Sequence, residues 1–325
     1  MFIDQPMGDG NRKSVCAVGS GQIARRIYFP VIIPWIYISF NPFCYDKHMQ
    51  KYKSYKDKVV VVAGGASGMG EQLVRQIAGY ARQVIVLDRN KAAGTSIAAT
   101  LGNKVSFKVV EMTNTNAVRR TLQQINKKHG PIDYFFNFAG SFLAGEIRDT
   151  PVGYWNKIVT SNIEPIVNGT TAMYEIMRNN GTGHIINVAS SAGLFPVPIM
   201  SIYGATKSSI VSLTLGLRME AKTFNIKASV VCPTIVETPL YDSALYAGLN
   251  KAKALNYLKN RAKVQQPEQA AKQILKKVAK NRAIIHTSAS TYIGWAAFRV
   301  SPALYMHFAV KYIHLYRKTL RLKNK

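Results

Sequence analysis

The sequence predicts an α/β chain built on one doubly wound parallel sheet, and three observations carry that prediction. From residue 58 to residue 286, apolar runs of strand length alternate with helix-length stretches, the order expected of a parallel sheet with right-handed helical crossovers. The first run, Val59-Val60-Val61-Val62, is continuous and β-branched, as befits a strand covered on both faces. A glycine-rich string, Gly64-x-x-x-Gly68-x-Gly70, separates that strand from the first helix, where a tight turn with close backbone approach is needed.

Taken in order, residues 58–63 read as the first strand, and the glycine turn leads into a helix over Glu71-Gln72-Leu73-Val74. Strand 83–87 ends in Asp88-Arg89, helix 91–101 follows, and strand 105–110 has Glu111-Met112-Thr113 at its tip. Helix 116–129 leads to strand 134–138, a long helix covers 154–178, and strand 184–188 runs into Ser190. Residues 203–221 are helical by pattern, strand 227–232 follows, and 234–261 is a mixed segment. Pro267-Glu268 opens another helix, because proline suits the first turn, and 283–286 is a last short strand. These elements predict a domain over residues 55–287, with an N-terminal extension at 1–54 and a tail at 288–325.

The 325 residues carry a formal net charge of +27, from 43 Lys and Arg against 16 Asp and Glu. So strong a field draws anionic partners. From Ser243 onward Glu268 is the only acidic side chain, and the tail interleaves bulky apolar residues with basic ones, which favours an anionic membrane surface over nucleic acid. Ser301-Pro302 reads as cap and first residue of a tail helix, on which Leu304, Phe308, Tyr312, Leu315 and Leu320 recur near helical spacing, with Arg317, Lys318, Arg321 and Lys323 near its end. Cys16, Cys44 and Cys232 are scattered and show no paired spacing with histidines, so neither a disulfide framework nor a metal site is expected.

Within the N-terminal extension, Gly19-Ser20-Gly21-Gln22-Ile23-Ala24 has the spacing of a nucleotide-binding string, but Pro30 and Pro34 interrupt the helix and strand it would need. The uncharged stretch 27–45 reaches the length of a membrane-spanning helix, and its prolines weaken one. It admits three readings: a membrane anchor, an interfacial segment, or an extension upstream of a start at Met49.

Four strings stand in fixed order: the glycine turn, Asn137-Phe138-Ala139-Gly140, Ser190 within Asn187-Val188-Ala189-Ser190-Ser191-Ala192-Gly193, and Tyr203-x-x-x-Lys207. Tyrosine and lysine four apart share a helix face, and a cation beside a phenol favours the phenolate. Either end of this series alone is weak, but the order and spacing resemble the short-chain dehydrogenase/reductase family over about residues 55–287, with its single Rossmann-like domain. The resemblance implies that Asn162, Ser190, Tyr203 and Lys207 are catalytic: Tyr203 as general acid/base, Ser190 as the polarising hydroxyl, Asn162 as holder of a water leading to Lys207.

It further implies a dinucleotide site made by Gly64, Ser67, Gly68, Met69 and Gly70 at the pyrophosphate, with Asp88, Arg89, Glu111 and Met112 at the adenosine. Asn137, Ala139 and Gly140 would lie at the ribose, with Tyr203 and Lys207, and Pro233, Ile235 and Thr238 at the carboxamide. A carboxylate at Asp88 favours NAD over NADP. Ala63, Phe138 and Thr234 depart from the family's usual Thr, Asn and Gly. The segment 240–259 lies where the family has a variable lid, and Leu240, Leu245, Tyr246, Leu249, Leu255, Tyr257 and Leu258 make it apolar.

The resulting expectation is a cytoplasmic, membrane-associated NAD-dependent oxidoreductase acting on the hydroxyl or ketone of a small apolar substrate such as a steroid, retinoid or long-chain acyl derivative. It would form a homodimer or homotetramer and bind no nucleic acid. The alternative is a cofactor-binding sensor or scaffold with little turnover at a membrane.

Overall fold

The computed structural model describes residues 52–261 and 264–320. The readings of the N-terminal string, the stretch 27–45 and Met49 lie outside the described residues. Among the described residues, seven parallel strands form one sheet in the order β3-β2-β1-β4-β6-β7-β9. These are β1 (Val59–Ala63), β2 (Gln83–Asp88), β3 (Val105–Val109), β4 (Tyr134–Asn137), β6 (Gly183–Val188), β7 (Ile226–Cys232) and β9 (Ile284–His286). Each matches a run read from the sequence to within a residue or two.

The crossover helices are α1 (Gly68–Ile77), α2 (Lys91–Leu101), α3 (Thr115–His129), α4 (Val152–Asn180), α5 (Ser201–Glu220), α6 (Lys251–Arg261) and α7 (Pro267–Val278). Local chemistry sets their ends. Asn90 and Asn114 cap α2 and α3 by accepting hydrogen bonds from Ala93 N at 3.1 Å and Ala117 N at 3.0 Å, and Gly181 ends α4 in the left-handed conformation.

The Val59–Val62 run serves both layers because successive side chains point to opposite faces. Val60 and Val62 pack with Leu73, Val74 and Ile77 of α1 and with Ile274 and Leu275 of α7. Val59 and Val61 pack on the other face with Val118, Leu122 and Ile125 of α3 and Met173 and Met177 of α4.

Three features were not anticipated. Residues Leu143–Gly145 (β5) and Leu245–Ala247 (β8) pair in parallel as a separate two-stranded sheet, bringing the start of the lid onto the loop after β4. Residues Ala289–Val300 form a helix, α8, capped by Ser288, which accepts from Thr291 N. The tail helix α9 (Pro302–Thr319) begins as predicted, with Ser301 Oγ accepting from Leu304 N at 3.2 Å, but its stripe is divided. Leu304 and Phe308 are 57% and 58% exposed, whereas Leu320 is 5% exposed, because the last turn packs against the lid and β5. The side chains of Tyr312, Leu315 and Leu258, and residues Arg321 and Lys323, lie outside those described.

Leu73 has no exposed surface and ties α1 to the sheet. Leu73→Ala should lower the unfolding free energy by about 2–5 kcal/mol, read as a reduced urea midpoint.

Candidate active site

Chain growth reverses between β1 and β4. From β1 it adds β2 and β3 on one side, then crosses back to add β4, β6, β7 and β9 on the other. The connections leave the carboxyl ends of β1 and β4 in opposite directions and open a crevice there. That crevice is a cleft of about 300 Å³, running from Asp88 and Arg89, past the glycine turn and Ala139-Gly140, to Ser141, Thr238 and Leu240.

The glycine turn is shaped by proximity. Gly64 has φ +71° and lies so close to the next strand that a Cβ would come within 3.1 Å of the Phe138 carbonyl carbon, and a Cβ on Gly70 would run into the Gly64 carbonyl oxygen. The start of α1, Gly68 to Gly70, lines the cleft together with Ser67 and Thr238, where the unpaired amides of a helix N-terminus suit an anion. At the far end, the Asp88 carboxylate is held in place by Ala66 N at 3.2 Å and Asn90 N at 3.0 Å. Arg89 and Glu111 flank it as a loose exposed pair at 4.0 Å. A cleft with a glycine turn at one part and an oriented carboxylate at its end has residues that could hold an extended dinucleotide.

Ser190 follows β6, and Tyr203 and Lys207 stand one turn apart on α5. Tyr203 is buried, and Ser190 Oγ, which accepts from Ala192 N at 3.2 Å, is close enough to lower the pKa of its phenol. Lys207 Nζ lies 5.7 Å from the centre of the Tyr203 ring and donates to the Val188 carbonyl at 3.4 Å. This group meets the cleft at Gly140, where a Cβ would stand 2.9 Å from Asn162 Oδ1 and 3.1 Å from Lys207 Nζ. On its other side lies an apolar cluster with Phe142, whose ring meets that of Tyr203 edge-on at 5.0 Å, and with Leu249 of the lid.

The electrostatics differ from the sequence expectation. Burial pushes the Tyr203 phenol up to about 12, opposed by Ser190, and burial pulls Lys207 down to about 8. Loss of hydration is the largest cause of both shifts, and both groups move toward their neutral forms.

Most of the residues predicted for the cofactor line the cleft: Gly64, Ser67, Gly68, Met69, Gly70, Asp88, Arg89, Glu111, Met112, Ala139, Gly140 and Thr238. Asn137 does not. It is fully buried and donates to the Pro165 carbonyl at 2.9 Å, anchoring β4 to α4. Pro233 accepts from Ser191 N at 2.8 Å, and Ile235 lines neighbouring apolar pockets. Asn162 is also fully buried; its Oδ1 accepts from Ser141 N at 2.6 Å and its Nδ2 donates to Thr206 Oγ1 at 3.0 Å. Those two bonds brace the loop after β4 against α5. Ser141, Ser161 and Pro165 line the cleft without having been predicted. Ser161 and Pro165 are four apart on α4, a spacing that placed them on one face beside Asn162.

The family profile described as short chain dehydrogenase matches residues 58–246, more than half of the chain and all four strings. The chain belongs to the short-chain dehydrogenase/reductase family. It is an NAD(P)-dependent oxidoreductase. It is similar to an oxidoreductase of Staphylococcus epidermidis, 28% identical over 201 residues that cover 62% of this chain and 87% of the relative. It is also similar to the dehydrogenase/reductase SDR family member 7B of Danio rerio, 27% identical over 245 residues that cover 73% and 79%. A short chain dehydrogenase/reductase from Burkholderia phymatum, solved in complex with NAD, shares the fold with a TM-score of 0.70 at 23% identity, over 77% of this chain and 95% of that one. A serine dehydrogenase complexed with NADP+ shares it at 0.64 and 22%, over 70% and 93%.

For this dehydrogenase the buried lysine has a consequence for stability. Lys207 binds its proton less tightly folded, at about 8, than at its ordinary 10.5. Between those values the unfolded chain holds more protons, so stability rises with pH, and the cost of charging is fully present below pH 8. Lys207→Met should remove that rise. The stability gap between parent and variant should change by on the order of 3 kcal/mol across pH 8 to 10.5, measured from urea midpoints.

Proposed function

We propose that this enzyme interconverts a secondary or primary alcohol and its carbonyl on an apolar substrate, with NAD as its cofactor. The observation that carries the reading is the position of Tyr203: a buried phenol beside Ser190 and Lys207, in an apolar cluster that adjoins a cleft able to take a dinucleotide. A substrate carbon reaching Tyr203 from the apolar side would have its oxygen at the phenol and at Ser190, with its hydrogen toward the cleft.

An oxidised nicotinamide in the cleft supplies the hydride acceptor and a positive charge beside the phenol. In the oxidative direction Tyr203, as phenolate, takes the hydroxyl proton while the carbon–hydrogen pair leaves toward the cleft; reduction returns both. Ser190 holds the substrate oxygen, and its hydrogen bond stabilises the phenolate. Lys207 keeps a cation near the phenol and faces the ribose side through the gap at Gly140. Asn162, Asn137, Pro233 and Ile235 position this group, and Gly64 to Gly70 with Ala139, Met112 and Thr238 hold the cofactor. Asp88 supports NAD, since its fixed carboxylate accepts ribose hydroxyls and repels a 2′-phosphate.

Two further readings rest on surfaces. Ile293, Val300, Leu304, Phe308 and Val310 are exposed on α8 and α9, with Arg299 over the Trp295 ring and Lys311 over Phe308. This mixture supports peripheral attachment to anionic lipid; no helix among the described residues is long and apolar enough to cross a membrane. Val159 and Val167 on α4 and Leu213 on α5 are also exposed, which supports assembly of two or more copies through these helices.

The deciding experiment is NADH formation by the full chain with a panel of apolar alcohols. Tyr203→Phe should lower kcat by about 10²–10⁴-fold while NADH affinity, followed by fluorescence, stays within about twofold. An unaltered kcat would overturn the assignment. Asp88→Ala should cut kcat/KM for NAD by about ten- to a hundredfold and improve NADP relative to NAD; equal losses for both would remove Asp88 as the discriminator. Sedimentation with anionic vesicles should be lost at high salt and weakened in Phe308→Ser, and salt-insensitive binding would contradict the electrostatic reading.

A further inference from the structure

The apolar side of the site holds a cavity of about 180 Å³. Phe142, packed on the Tyr203 ring, is part of its lining and links it to the site. Part of its lining comes from a segment distant in sequence: Tyr316 in the last turn of α9 and Leu320 at its C-cap line it together with Tyr246 and Leu249 of the lid. Tyr316 is 6% exposed, nearly as buried as anything in the sheet, although α9 upstream lies on the surface.

This turn is fastened on both sides. Arg317 donates from Nε to Glu146 Oε1 at 3.0 Å and from Nη2 to Glu146 Oε2 at 2.9 Å, a two-point contact that fixes orientation as well as distance. Glu146 directly follows β5, which carries Ala144 into the same cavity. On the lid side, Asn250 N donates to the Leu320 carbonyl at 3.1 Å. Farther up, the Tyr305 hydroxyl donates to the Pro196 carbonyl at 2.9 Å, on the loop that continues through Val197 and Ile199 into the cavity wall.

We propose that the last turn of α9 is the specificity-determining wall of the substrate pocket, with Tyr316 and Leu320 setting how far an apolar chain can extend from the reacting carbon. The proposal rests on the reading of Tyr203 as the reacting group, which defines where that chain starts. Sites that enclose drug-sized ligands span about 300–1,000 Å³, so a cavity of this volume takes a short apolar chain, and a polycyclic substrate requires the α9 turn to move. Leu320 is the more informative of the two positions, because its backbone contact with Asn250 survives a change of side chain.

The test is calorimetric titration of the NADH-bound full chain with straight-chain primary alcohols of increasing length, alongside NADH formation from the same alcohols. In the parent, affinity should climb by about fourfold per methylene and then stop where the chain meets the wall. Leu320→Ala should move that break to longer alcohols, and Leu320→Phe should move it to shorter ones, with thermal unfolding confirming that both variants are folded. Opposite displacements are not produced by a general loosening of the fold. A break that stays in place in both variants, an affinity that never breaks, or no binding at any length overturns the proposal. Displaced breaks without turnover leave the wall standing and sink the reaction assigned to Tyr203. Turnover with an unmoved break does the reverse.

Discussion

The contact between the ends of β1 and β4 positions the rest of the site. Ala63 pairs with Asn137 in register, Phe138 N donates to the Ala63 carbonyl at 2.8 Å, and Gly64 N turns instead to the Leu87 carbonyl of β2 at 2.8 Å. The chain leaving β1 is therefore pulled toward β2 just as the chain leaving β4 passes on the other side, and the crevice is the space between them. A side chain at residue 64 would press on Phe138 and its neighbour, so the two strand ends could not approach. Behind the strand ends, the Asn137 amide is held by Pro165 and the loop beyond it by Asn162, which fixes the crevice floor to α4 and α5.

The group next to this floor is dry. Tyr203, Lys207 and Cys232 are all buried, and burial drives the tyrosine and cysteine up and the lysine down. Such a site disfavours isolated charge, and opposite charges brought together within it attract more strongly than in water.

The apolar side is assembled from four parts of the chain: the loop after β4, the loop before α5, the lid and the end of α9. Hydrophobic burial brings them together, and Arg317 with Glu146 orients the last of them. Helix α9 consequently has two environments. Its first turns present Leu304 and Phe308 to solvent, and at its end Tyr316 and Leu320 are buried and line the apolar cavity, so one helix joins an exposed apolar surface to a buried one.

Much of this was legible in the residues themselves. The alternation of strands and helices, the glycine turn, the Ser301-Pro302 helix start and the Tyr203–Lys207 pairing depend on local periodicity and on spacing along one element, which sequence encodes directly. What only the tertiary structure decided involves segments far apart: the β5–β8 pairing across about a hundred residues, the burial of Leu320 in what read as an exposed stripe, and the engagement of Asn162 by Ser141 and Thr206. The direction of the Tyr203 shift belongs with these. Spacing shows that a cation stands one turn away, but desolvation depends on everything packed around the phenol, and that is set by contacts no single stretch of sequence contains.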